Sequence, residues 1–278
     1  MKKRIPIAAL LLLILAAVVT VWLSRYGYAQ QDRDAIMVSS TAQHPAGTDE
    51  LGRDRTVRVA AALLIGLAGA TAAAAITTAI AACFGLLAAF SPAWLASILL
   101  FAGDVFLSLP WLFLLMIVRS LLPLTAPPLM TAVVTFLVLA VLGWPACARA
   151  IYRGARVLRS SEWMIQGRAS GLRTRQLIRL HLVPHLRPLL LPQFLICVPA
   201  FIAAEANLGA LGLGVGEPMP SWGAMLLELD NSALLARTYW VYLPIVLLVV
   251  LLFTLESLLE SHLESHLESL TSEAESSA

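Results

Sequence analysis

Charge is scarce in this chain. Only 13% of its 278 residues are Asp, Glu, Lys or Arg, 59% are hydrophobic, and the mean hydropathy is +0.83. A soluble domain carries roughly 25% charged residues, so there is too little charged surface here to hold a globule of this size in water. Lysine is nearly absent. Lys2 and Lys3 are the only two, and no G-x-x-x-x-G-K-[ST] loop for ATP phosphates exists, which excludes ATP hydrolysis by that route. Cysteine is rare as well. Cys83, Cys147 and Cys197 lie inside apolar runs and read as small buried residues, with no pair that suggests a disulfide or metal framework. No Ser/His/Asp or Cys/His arrangement offers a nucleophile. No catalytic residue, metal or cofactor is expected. Nucleic acid is a poor partner, because the basic stretch sits between two hydrophobic runs.

What the chain has is long apolar runs. About 20 such residues cross a bilayer core as a helix. Six stretches qualify, at about Ile5–Leu23, Val57–Phe90, Trp94–Val118, Leu129–Ala148, Leu186–Ala204 and Tyr239–Leu255. The fold class expected is all-α, a polytopic membrane protein. A cleaved signal peptide is the alternative for the first stretch. That run is long for a signal, and only Tyr28-Ala29-Gln30 hints at a cleavage site. The second stretch carries small-xxx-small pairs, Gly66 with Ala70 and Ala70 with Ala74. Such pairs let helix backbones approach closely in lipid. The third contains Asp104, a charge that faces a bundle or cavity when it lies at membrane depth, with Arg149 as a candidate partner. Pro188, Pro192 and Pro199 are expected to interrupt the fifth.

The distribution of charge gives an orientation. Residues 149–187 hold nine Arg against one acid, Glu162, whereas residues 24–58 hold five Arg and five acids. Basic loops stay in the cytoplasm. Six spans then place the Arg-rich segment and both termini inside and the balanced loop outside. Beyond the sixth span, Leu255, Leu259, Leu263 and Leu267 recur every four residues beside four Glu, the spacing of a helix that extends the span. Metal binding by His262 and His266 is the lesser reading of that tail.

Within the Arg-rich segment, Trp163–Ala169 forms one short helix, Gly171 breaks it, and a second amphipathic stretch ends at Pro184. Physics alone leaves two readings open: a docking surface for a partner protein, or an interfacial helix on anionic lipid. The stretch resembles the cytoplasmic loop of binding-protein-dependent ABC importer permeases. In the dipeptide/oligopeptide/nickel branch the loop has the form A-A-R-A-L-G, then R-H-I-L-P. Here it reads Gln166-Gly167-Arg168-Ala169-Ser170-Gly171, then Arg179 and His181-Leu182-Val183-Pro184, with Ile165 where many members carry Glu. The segment His44-Pro-Ala-Gly-Thr-Asp-Glu-Leu-Gly-Arg-Asp54 resembles that branch's H-P-L-G-T-D-x-x-G-R-D. Residues 205–226 resemble its E-x-x-L-S-F-L-G-L-G-x-x-P-P-x-P-S-W-G-x-M-L.

The resemblance implies a permease subunit that moves peptides or a related solute such as nickel across the inner membrane. It implies a second permease, two ATP-binding cassette subunits and an extracytoplasmic solute-binding protein as partners, with lipid around the chain. Arg168, Ala169, Gly171, His181 and Pro184 would couple to the ATPases. Glu205, Gly212, Gly214, Ser221, Trp222 and Gly223 would form an outer loop at the mouth of the pathway. Three regions are expected: residues 1–56 with the first span and the outer loop, a permease core at 57–259, and a low-complexity tail at 260–278. A stand-alone secondary transporter or channel, and a non-transporting membrane scaffold, are the alternatives.

Overall fold

The computed structural model describes residues 4–108, 110–123, 125–172, 176, 185–230 and 239–277, with backbone alone for 111, 112, 119, 163, 168, 230 and 266–277. Among these residues the regular elements are helical. Helices α1 (Arg4–Leu23), α2 (Arg55–Phe90), α3 (Ala93–Ser108), α4 (Trp111–Leu121) and α5 (Pro128–Arg159) are followed by α6 (Glu162–Ala169), α7 (Arg187–Ala210), α8 (Trp222–Leu227) and α9 (Leu243–Ser277). Five of them, α1, α2, α5, α7 and α9, are long and apolar enough to cross a membrane.

The third apolar stretch is not one span. Its described residues form α3, which ends at Ser108, and α4, which begins at Trp111 after Pro110, helices of 16 and 11 residues. Proline lacks an N–H and crowds the carbonyl four residues back. The fifth stretch, by contrast, is uninterrupted. Pro188 occupies the first turn of α7, where no donor is needed, and the helix runs through Pro192 and Pro199. The fourth stretch is longer than expected, because α5 carries its helix past Arg149, Arg153 and Arg156 to Arg159.

The core is built on α2. Its buried face is largely Ala and Gly, from Ala60 through Gly66, Ala70, Ala74 and Ala81 to Ala89. With so little side chain between them, α2 and α5 run side by side, and α5 is the most extensive neighbour of α2. At Gly85 a Cβ would sit 2.7 Å from the Ala148 carbonyl oxygen, which only glycine avoids. Thr77 donates to the Ala140 carbonyl across the same seam at 2.9 Å. Helix α7 lies antiparallel in the remaining angle. Cys147 of α5 and Cys197 of α7 meet there, buried and reduced, with sulfurs 3.4 Å apart. The sequence did not suggest this pair, because the two residues come together only through the packing of separate helices. Asp104 does pair with Arg149, joining α3 to α5.

Candidate functional site

The bundle has two ends of different chemistry. At the Arg-rich end lie the last turns of α2 and α5, helix α6 and the first turn of α7. Arg159 donates to the Ala89 carbonyl at 2.7 Å and stands 5.7 Å over the Phe90 ring, which fastens α5 to α2. After one turn the chain forms α6. Its Met164 is fully buried and Gly167 is buried, so the helix is anchored by one face. Ile165, Gln166 and Ala169 point outward. Gly171 ends α6 with φ +78°, and the Leu172 N–H returns to the Gly167 carbonyl at 3.2 Å. That left-handed residue and six-to-one bond are a glycine helix stop. Arg168 lies on α6 with its side chain outside the described residues, and His181 and Pro184 lie outside them altogether.

At the opposite end, two distant segments meet. Residues 24–54 fold back on themselves without a helix, held by bonds such as Asp32 N–H to Gly52 O and Thr48 N–H to Val38 O. Asp54 caps α2 by accepting from the Val57 N–H at 3.0 Å, and its other oxygen meets His44 Nδ1 at 2.8 Å. The Tyr26 ring lies 4.6 Å from that imidazole. Across from them, α7 ends at Gly212, φ +75°, with Leu213 N–H to Leu208 O and Gly212 N–H to Gly209 O. This is the same glycine stop, here complete. Gly214 and Gly223 then press their backbones onto Gly209; a Cβ at Gly214 would lie 2.6 Å from the Gly209 Cα.

Ser221 caps α8, accepting from the Ala224 N–H at 3.2 Å. Trp222 has no exposed surface, and its Nε1 would be 2.8 Å from a Cβ at Gly66, so the indole is inserted against α2. Glu205 is buried with its carboxylate facing the Ser221 hydroxyl and the backbone N–H groups of Trp222 and Gly223. The structure therefore brings together all six loop residues singled out in the sequence.

Ion pairs bind the two segments. Arg53 bonds Asp49 at 2.6 Å and Glu217 at 2.5 Å. Arg58 reaches the other Glu217 oxygen at 3.1 Å and the Pro218 carbonyl at 3.3 Å. Arg55, with 1% of its surface exposed, bonds Glu228 through two nitrogens at 3.1 and 2.6 Å. Burial works against the Arg53 charge, yet its bonds to Asp49 and Glu217 outweigh that and raise its pKa. Burial pushes the Glu228 carboxyl up, against the opposing pull of Arg55. Sequence reasoning missed these partners, Asp49 and Glu217 for Arg53 and Arg58, and Glu228 for Arg55. The signal available was a balanced loop of five Arg and five acids facing a glycine-rich loop that carries two further acids.

Comparison with known proteins covers most of the chain. The model of the family described as binding-protein-dependent transport system inner membrane component matches residues 81–269. The dipeptide transport system permease protein DppC of Bacillus subtilis is 31% identical over 227 residues, covering 81% of this chain and 69% of that protein. The oligopeptide transport system permease protein OppC of the same organism is 29% identical, covering 83% of this chain and 72% of its own length. An OppC of Mycobacterium tuberculosis is 32% identical, with coverages of 85% and 79%.

Proposed function

Because this chain belongs to the family of binding-protein-dependent transport inner membrane components, we propose that it is the peptide-translocating permease of its importer. It is a membrane transport subunit and not an enzyme; ATP hydrolysis belongs to separate subunits. The stand-alone carrier and the scaffold fall with that membership. The peptide assignment is supported by relatives whose names specify dipeptides and oligopeptides.

In this reading the Arg-rich end faces the cytoplasm, with both termini. Two ATPase subunits engage the permease pair, one on each, and α6 with the segment through Pro184 is the contact here. The observation that carries the proposal is the construction of α6. It is anchored by the buried Met164, stopped at Gly171, and follows α5 in the chain after a single turn. A shift from 1:99 to 99:1 between inward- and outward-open states needs roughly 5.5 kcal/mol of differential binding. A loose loop would dissipate that energy; an anchored helix passes it to α5, which it directly follows. The exposed Ile165 gives the contact an apolar centre.

At the other end, the motif at 44–58 and the loop at 205–223 form one ion-paired body that a solute-binding protein meets from outside. A second, similar permease completes the pathway. The test is transport by the assembled importer in vesicles, with Arg168→Glu and Gly171→Val combined. Uptake of a labelled peptide is expected to stop while membrane insertion and assembly of the bundle persist. Normal uptake by that variant overturns the coupling role of the segment.

A further inference from the structure

A groove of about 480 Å³ runs between α2 and α7 near the Arg-rich end. Ala75, Thr78, Ala79 and Ala82 form one wall, and Leu190, Leu191 and Phe194 form the other. Arg187 closes it at one end. The two helices are antiparallel, and the apolar floor extends from the Arg187 end toward Ala75 and Phe194. At 1.5 Å per residue the α2 wall is about 10 Å long.

Arg187 is exposed, and neither helix can neutralise it. No Asp or Glu occurs in α2, and none occurs in the sequence between Glu162 and Glu205. An anion for this guanidinium therefore comes from outside the two helices. Midway along the wall, the Thr78 hydroxyl oxygen is buried without a hydrogen-bond partner. A cation at the rim, a hydroxyl within the groove and a methyl-lined channel beside it match the phosphate, the ester group and the acyl chain of one molecule.

We propose that this groove is a binding site for an anionic glycerophospholipid of the inner leaflet. Its phosphate pairs with Arg187, an ester carbonyl accepts from the Thr78 hydroxyl, and one acyl chain lies along Ala79, Leu190 and Phe194. An acidic side chain of a partner protein would meet the charge of Arg187 and leave the apolar channel unfilled, so charge and shape together favour lipid. Bound there, the lipid fills the seam between α2 and the first turns of α7, the helix that leaves the coupling segment. This goes beyond the transport role and holds whichever solute is carried.

The experiment is native mass spectrometry of the full-length chain, delipidated in detergent and titrated with phosphatidylglycerol or phosphatidylcholine. One basic residue at an anionic headgroup gives a preference of about fivefold for phosphatidylglycerol. Arg187→Gln is expected to erase that preference, and Arg187→Lys to keep it. Ala79→Trp, a change at an exposed groove position, is expected to abolish the tight site for both lipids while the chain stays monodisperse. Several outcomes overturn the proposal. They are equal binding of the two lipids by the unaltered chain, an unchanged preference in Arg187→Gln, and displacement of the lipid by a transported peptide, which would make the groove part of the pathway. Loss of the preference on adding the ATPase subunits would assign Arg187 to a protein partner and overturn it as well.

Discussion

Removing Glu228 strands Arg55. The guanidinium is buried with 1% of its surface exposed, and its only charged partner among the described residues is the Glu228 carboxylate, itself 18% exposed. Breaking a buried pair by deleting one member costs about 3 kcal/mol, whereas replacing both with apolar residues of similar volume is often neutral. Glu228→Ala is therefore expected to lower the thermal midpoint of the purified chain clearly, and Arg55→Met with Glu228→Leu to restore most of it. A double variant as unstable as the single one would show that Arg55 works through something other than this pair. Glu217 is a different case. It is half exposed, so water screens its bonds to Arg53 and Arg58, and Glu217→Gln should cost on the order of 1 kcal/mol or less. Gly223 is constrained by space. A Cβ there would lie 2.6 Å from the Ala206 carbonyl oxygen, with the Gly209 backbone closer still. Gly223→Ala is expected to cost about 1–3 kcal/mol, read as a lower melting temperature with lost uptake.

Helix α7 connects the two ends. It begins at Arg187, after the segment proposed to couple to the ATPases, and ends at Ala210, where the glycine-rich loop begins. Cys147 and Cys197 offer a direct test of whether α5 and α7 move past one another. Their sulfurs stand 3.4 Å apart, and a disulfide requires about 2.05 Å, so a shift of little more than an ångström suffices. A membrane-permeant oxidant such as copper phenanthroline is expected to join them and to stop uptake, dithiothreitol to restore it, and Cys147→Ser to make the chain immune. Full cross-linking with undiminished uptake would show that α5 and α7 travel as one body. The break at Pro110 and the continuity through Pro192 and Pro199 carry a related lesson. Proline at membrane depth breaks a helix only where neighbouring backbone does not absorb the lost bond, and neighbours are invisible in a linear reading.

For the whole molecule the proposed orientation is testable with two substitutions in a cysteine-free background. Ser39→Cys, exposed in the balanced loop, should react with an impermeant maleimide on intact cells. Ser170→Cys, exposed beside α6, should react only after the membrane is opened. The reverse pattern would remove the ATPase contact from the compartment that holds ATP. The membrane character, the approximate spans, the glycine stop of α6 at Gly171 and the pairing of Asp104 with Arg149 were legible in the chain itself. Each follows from local composition, or from the cost of leaving a charge unpaired in lipid. Two meetings were not legible: residues 44–58 with residues 205–228, and Cys147 with Cys197. These contacts join positions 50 to about 170 residues apart, and nothing local in a sequence measures the distance between separate helices. Only the close packing that the Ala and Gly face of α2 permits brings α5 and α7 together, and with them the charges and thiols that α5, α7 and their flanking loops carry.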